Sequence, residues 1–243
     1  MSKGLIRLEE FLASQTPLSR RDILNLVRHH EVMINGHVVT SLVKRLNPMS
    51  DVVHVSGERV EYSLSYVYYK FYKPVGVIST MEDPSGRRCL GDLMRRVPQA
   101  MAPVGRLDRD TEGLMLFTND GELAHHLAHP RFHIPKRYRV TLDQSVTEYL
   151  LTRLESGIFL EDGPVLLDAF EVISHQTLEI QLSEGRNRII RRTFACLGFE
   201  VKRLKRLAIG PIQLGKLRVG EWAPLTKSEW QQLQKALAQS VDV

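Results

Sequence analysis

Five ionisable side chains fall within seven residues at Arg106-Leu107-Asp108-Arg109-Asp110-Thr111-Glu112, directly before the apolar run Gly113–Thr118. Loops placed by a rigid strand are where catalytic groups concentrate. Asp108, Asp110 and Glu112 in this pattern suit acid–base chemistry or a divalent cation. They equally suit a turn whose carboxylates pair with Arg106 and Arg109, and the spacing does not say which carboxylate matters.

His125 and His129 stand i, i+4 on a predicted helix, a spacing that zinc pairs use. His126 and His133 lie close by, but no HExxH is present and no third ligand is fixed by the sequence. The expectation is that no metal binds there. Residues 184–206 carry eight basic groups (Arg186, Arg188, Arg191, Arg192, Lys202, Arg203, Lys205 and Arg206) against Glu184 and Glu200. That excess is larger than the net charge of the whole chain, +5. One basic stretch on a neutral body fits a polyanion, although a solvated helix face would look the same.

The chain around these groups has 243 residues, 43% of them hydrophobic and 25% charged, which excludes global disorder. Its length suits one large domain, or a large one with a small one. Cys89 and Cys196 form no CxxC pair, so neither a disulfide scaffold nor a zinc ribbon is expected, and a cytoplasmic setting is. No apolar run approaches the ~18 residues of a membrane span, and Arg7, Glu9 and Glu10 break up any secretory leader.

Residues 1–61 read as one unit, ordered helix, helix, hairpin, strand. Ser19 to Asp22 form a capping box with Leu18 and Ile23 as its staple. Asn35-Gly36 marks a hairpin turn, and 51–55 a strand. Residues 56–65 read as a linker. Beyond it, 67–80 is a strand broken at Pro74 and Gly76, 87–97 a short helix, and Gly113–Thr118 a buried strand. Asp120 caps a helix over 122–128. Strands at 138–142 and 178–182 and helices at 146–156 and 187–197 follow, and Thr226 caps the last helix. The fold class expected is α+β with a large mixed sheet.

Five segments carry a resemblance: Lys73-Pro74-Val75-Gly76, GRLDRDTEGLMLFTNDG (105–121), Lys136-Arg137-Tyr138-Arg139-Val140, EGRNRIIRR (184–192) and RLKRLAIG (203–210). Their order and spacing resemble the RsuA/RluB/RluE/RluF branch of the ribosomal RNA pseudouridine synthases. Residues 1–61 resemble the S4-like RNA-binding domain of that branch. The resemblance implies a catalytic domain over 62–243 whose large mixed, mainly antiparallel sheet is flanked by helices.

By that resemblance Asp108 is the catalytic aspartate and Tyr138 stacks on the target base. Arg191 pairs with the aspartate, Leu204 packs in the site, and Lys73 and Pro74 shape its floor. Asp110 and Glu112 fall to supporting roles. Where the family often has Gln, this chain has Ile189, which removes one polar group. The RNA contacts expected are Arg20, Arg21 and Arg28 in the small domain, and Arg106, Arg186, Arg188, Arg192, Lys202 and Arg203 in the large one.

The reaction implied is an isomerisation of uridine without redox or group transfer, so no cofactor is expected. The partner is ribosomal RNA or a ribosomal subunit precursor, with no membrane and a monomeric enzyme. The run 105–130 looks most like the B-type enzymes that act on the large ribosomal subunit, pointing to 23S RNA. HPRFHIPKRYRVTL (129–142) also resembles the enzyme that acts on the small one, which keeps 16S RNA as the alternative. A non-catalytic RNA-binding assembly factor with the same fold is a further alternative, against which the presence of all of Asp108, Tyr138 and Arg191 argues. A glycosidase using Asp108 and Asp110 would not call for the basic stretch.

Overall fold

The computed structural model describes residues 5–16, 18–62, 66–94 and 101–240. Two compact units partition the chain: Met1–Tyr68 with Val97–Ala102 and Phe117–Leu123, and Tyr69–Arg96 with Pro103–Leu116 and Ala124–Val243.

In the first unit, helices Leu8–Gln15 and Arg20–Arg28 bury Leu8, Phe11, Leu12, Ile23 and Val27 against Val32, Ile34, Leu46 and Val53. Ser19 and Asp22 form the capping box reciprocally, each side chain bonding the other's backbone N–H. Asn35 and Gly36 both take positive φ, 52° and 79°, as a type I′ turn requires, and join Val32–Ile34 to His37–Val38. The expected linker starts instead as a second hairpin. Ser56 (φ 49°) and Gly57 (φ 85°) turn Val53–Val55 into Glu58–Val60. The Ser56 hydroxyl donates to Glu31 at 2.5 Å, which holds a residue that rarely adopts this conformation.

A nine-stranded mixed sheet follows. Its path runs Ala169–Ser174, Thr177–Leu182, Lys136–Leu142, Val201–Ile209, Glu112–Thr118, Tyr68–Lys73, Trp222–Pro224. Val201–Ile209 pairs parallel with Glu112–Thr118 and antiparallel with Lys136–Leu142. Every residue of Glu112–Thr118 is buried, as its unbroken apolar run implies. Gly113 is required at the parallel crossing. A Cβ there would lie 2.3 Å from the Arg206 carbonyl oxygen and 2.6 Å from its nitrogen.

The helices Leu90–Met94, Gly121–Ala128, Glu148–Ser156 and Ile189–Cys196 lie between strands in chain order, and Lys227–Ser240 follows the last strand. Of the short helix expected at 87–97, Leu90–Met94 is helical and 95–97 lie outside the described residues. Asp120 Oδ1 accepts from the Leu123 N–H, capping Gly121–Ala128. Elements with no counterpart in the sequence reading include the hairpin Ile158–Leu160/Gly163–Val165, the strands Ala169–Ser174 and Trp222–Pro224, and Val201–Ile209 as a nine-residue strand. Among the described residues no helix is long and apolar enough to cross a membrane.

Candidate active site

The loop ahead of Glu112–Thr118 is held from beneath by the segment that begins at Lys73. Lys73 is fully buried, and its Nζ donates to the carbonyls of Asp108 (3.1 Å), Thr111 (2.8 Å) and Pro74 (3.1 Å). The Gly76 N–H donates to the Arg109 carbonyl at 2.7 Å. Ser79 Oγ donates to the Leu107 carbonyl and accepts from its N–H. Backbone groups of Leu107, Asp108, Arg109 and Thr111 are thereby fixed, and the Asp108 carboxylate is left to the cleft. Burial pushes the Lys73 ammonium down to about 8, against the opposing pull of Asp108 and Asp110.

The cleft has a volume of about 310 Å³, at the lower end of small-molecule sites. Asp108, Tyr138, Arg191 and Leu204 all line it, so the structure brings together these four residues, far apart in sequence. Tyr138 stands opposite Arg206 and Val140 opposite Leu204 in antiparallel register. Residues alternate along both strands, so Lys136 and Tyr138 share a face, as do Leu204 and Arg206. Lys136 and Arg206 line the cleft too and were not among the expected site residues. The period of two from Tyr138 and from Leu204 was the signal that could have found them.

Arg206 is 3% exposed. Its Nε donates to the Leu114 carbonyl at 2.7 Å, and its Nη2 has no hydrogen-bond partner among the described residues. Lys136 donates to the Ile134 carbonyl, and burial with the neighbouring Arg206 charge pushes its ammonium down to about 8.

The arginines are arranged differently from the expectation. Arg191 pairs with Asp110, not Asp108. Its Nε lies 3.1 Å from Asp110 Oδ2, an ion pair whose angle is not that of a hydrogen bond. Its Nη2 donates to the Asp110 carbonyl and its Nη1 to that of Val201. Arg188 forks onto both Asp110 oxygens at 3.1 and 2.8 Å, and its Nη1 lies 3.9 Å from Asp108 Oδ2. Burial raises the Asp110 pKa, but the Arg188 hydrogen bonds and the Arg191 charge outweigh it, and the carboxyl sits below its usual range. Arg188 holds a left-handed φ of 47° as the cap of Ile189–Cys196, a conformation costing a non-glycine residue roughly 1–2 kcal/mol. Ile189 is buried in the cleft wall.

The linear charge count overstated the field of residues 184–206. Arg186 and Arg192 both bind Asp162, and Arg186 also binds Glu184. Lys202 binds Glu200 and Arg203 binds Glu112. Lys202 and Arg203 do not line the cleft, whereas Arg106, Arg186 and Arg188 do. Arg106 is exposed, with no carboxylate partner among the described residues. Arg20, Arg21 and Arg28 are exposed on the second helix of the first unit, Arg20 3.2 Å from Glu9. Pro74 lies off the cleft wall, its carbonyl one of the three that hold Lys73. Among the described residues no three His, Cys, Asp or Glu side chains converge as metal ligands would.

A family model described as RNA pseudouridylate synthase matches residues 67–196. An uncharacterised RNA pseudouridine synthase of Mycobacterium bovis is 44% identical over 239 residues, covering 96% of this chain and 94% of that protein. The ribosomal large subunit pseudouridine synthase B of Bacillus subtilis is 40% identical, covering 96% of each. A crystal structure of a pseudouridylate synthase superposes with a TM-score of 0.67 at 32% identity, over 94% of this chain and 99% of that one.

Proposed function

This chain belongs to the RNA pseudouridylate synthase family, and from that premise we propose that it isomerises one uridine of 23S ribosomal RNA, with Asp108 as the catalytic carboxylate. The observation that carries the assignment of Asp108 is its setting. Its carbonyl is held by Lys73 and that of the next residue, Arg109, by the Gly76 N–H, while Asp108 lines the cleft with Tyr138 and Leu204. The likeness to the B-type enzyme along nearly the whole chain supports the ribosomal substrate.

Uridine becomes pseudouridine when the N1–C1′ bond breaks, the base turns, and C5 bonds to C1′. A proton leaves C5 and one is gained at N1, so atoms balance without a cofactor. An ionised Asp108 bonds C1′ or stabilises the ribosyl cation while the base turns. The base must leave its stack to reach a cleft of this size, and the Tyr138 ring offsets part of that cost. Stacking on an aromatic ring is worth about 1–3 kcal/mol per base. Residues 1–61 act as an S4-like RNA-binding domain with Arg20, Arg21 and Arg28 toward the phosphates. The enzyme works as a cytoplasmic monomer.

Mapping pseudouridines in ribosomal RNA with and without the gene tests this reading. One 23S position should lose its modification on deletion. Loss of a 16S position instead would reassign the substrate, and an unchanged map would overturn the ribosomal reading.

A further inference from the structure

We infer that the cluster of His125, His129, Arg131 and Phe132 is a contact surface for the RNA strand beside the target uridine. This rests on the RNA reading above and extends it to a part of the rim the reaction does not use. Helix Gly121–Ala128 brings His125 to its surface, and His129 follows one turn later. The short turn Pro130–Phe132 then returns Arg131 and Phe132 over the same face. Ala128 and Pro130, on either side of His129, both line the cleft, so the cluster borders it directly.

The groups form a cluster of tilted and edge-to-face rings with a guanidinium over one of them. The His125 and His129 centroids are 4.9 Å apart, those of His126 and Phe132 4.2 Å, and the Arg131 guanidinium lies 4.4 Å over the Phe132 ring. His125 and His129 are exposed while His126 and Phe132 are half-buried, and exposed rings beside a cation suit bases and phosphates. The Arg131 N–H donates to His129 Nδ1 at 3.2 Å, so the neutral ring carries its proton on Nε2, a donor with no partner among the described residues. Arg131 Nη2 lies 3.3 Å from His125 Nε2, which must therefore accept. A cation standing at that lone pair opposes a metal there.

Arg131 is exposed and has no carboxylate partner among the described residues, unlike Arg186, Arg188 and Arg192. Its charge is available to an incoming anion. Local desolvation and the charges of Arg131, His129 and His126 push His125 below its usual pKa. Glu122 stands one turn back on the same helix, and His133 and Lys136 follow the turn. A phosphate brought among these groups reverses the repulsion and raises the His125 pKa. The bound state then holds more protons than the free one, so affinity rises as pH falls from 8 to 6.

The test uses full-length protein and an unmodified 23S RNA transcript. Wild-type Kd should tighten about tenfold between pH 8 and pH 6, and His125→Gln with His129→Gln less than about twofold. Arg131→Gln should lower the log–log salt slope by about 0.7 to 0.9. His125→Gln alone leaves the His129 hydrogen bond intact and should remove part of the pH dependence if the double variant misfolds. Unchanged affinity, pH dependence and salt slope in folded variants would overturn the surface. Tritium release from C5-labelled RNA by wild type, run alongside, keeps the two readings apart, since its failure would overturn the enzymatic reading and not the binding result.

Discussion

Arg191 turns its guanidinium to Asp110, two residues beyond the carboxylate it was expected to pair with. Arg188 forks onto the same Asp110 and only grazes Asp108 at 3.9 Å. Asp110 therefore holds two cations at the edge of the cleft and leaves the Asp108 carboxylate lightly paired. Asp108 is the group positioned by backbone clamps, and Asp110 the group positioned by charge.

Asp110→Asn removes the counter-charge of both arginines while leaving the Lys73 clamp in place. Asp110 is 43% exposed, and pairs of this kind contribute about 1 kcal/mol or less. Single-turnover pseudouridine formation should stay within about tenfold of wild type. A loss comparable to that of Asp108→Asn would assign Asp110 a direct part in the reaction.

Rate and stability should respond oppositely to alkaline pH. The Lys73 ammonium offers three N–H groups to three carbonyls, and the neutral amine offers two. As pH rises through about 8 the clamp on the Asp108 loop loosens and the single-turnover rate should fall. The folded pKa lies below the unfolded one, so between about 8 and 10.5 the unfolded chain holds more protons and the contribution of Lys73 to stability rises with pH. Rates and urea midpoints measured from pH 7 to 9.5 on the same preparation check both directions.

Gly113→Ala places a methyl group against the backbone of Arg206, where the neighbouring strand cannot move without breaking the parallel pairing. The expected loss is about 3 kcal/mol, read as a lowered urea midpoint. Wild-type stability in this variant would contradict the crossing of these two strands.

Much of the architecture was local and so readable. The Ser19 capping box and the Asn35-Gly36 turn lie within a few residues, and the buried run 113–118 declares itself. Ser56-Gly57 was missed because Ser56 is held in its turn by Glu31, 25 residues away. The strand Ala169–Ser174 is largely exposed, so it shows no alternation to detect. The four cleft residues Asp108, Tyr138, Arg191 and Leu204 were legible through family resemblance. Asp162 was not, because its tie to Arg186 and Arg192 spans 24 and 30 residues. That tie is why a charge count along the chain misjudged the RNA-facing field.

Arg106 and Lys202 should therefore differ as RNA contacts. Arg106 lines the cleft without a carboxylate partner among the described residues, whereas Lys202 already holds Glu200 at 2.7 Å, off the cleft. Arg106→Ala should reduce the log–log salt slope of RNA binding by about 0.7 to 0.9, and Lys202→Ala should leave it nearly unchanged. Equal changes would show that the two charges are equally available to phosphate.

Asp108→Asn is the most direct test of the central assignment. The amide nearly preserves shape and leaves the three Lys73 hydrogen bonds intact, but it cannot act as a carboxylate nucleophile or counter-ion. Tritium release from C5-labelled 23S RNA is predicted to fall below detection, at least about 1,000-fold, with RNA affinity within about threefold of wild type. Release at the wild-type rate would contradict the account.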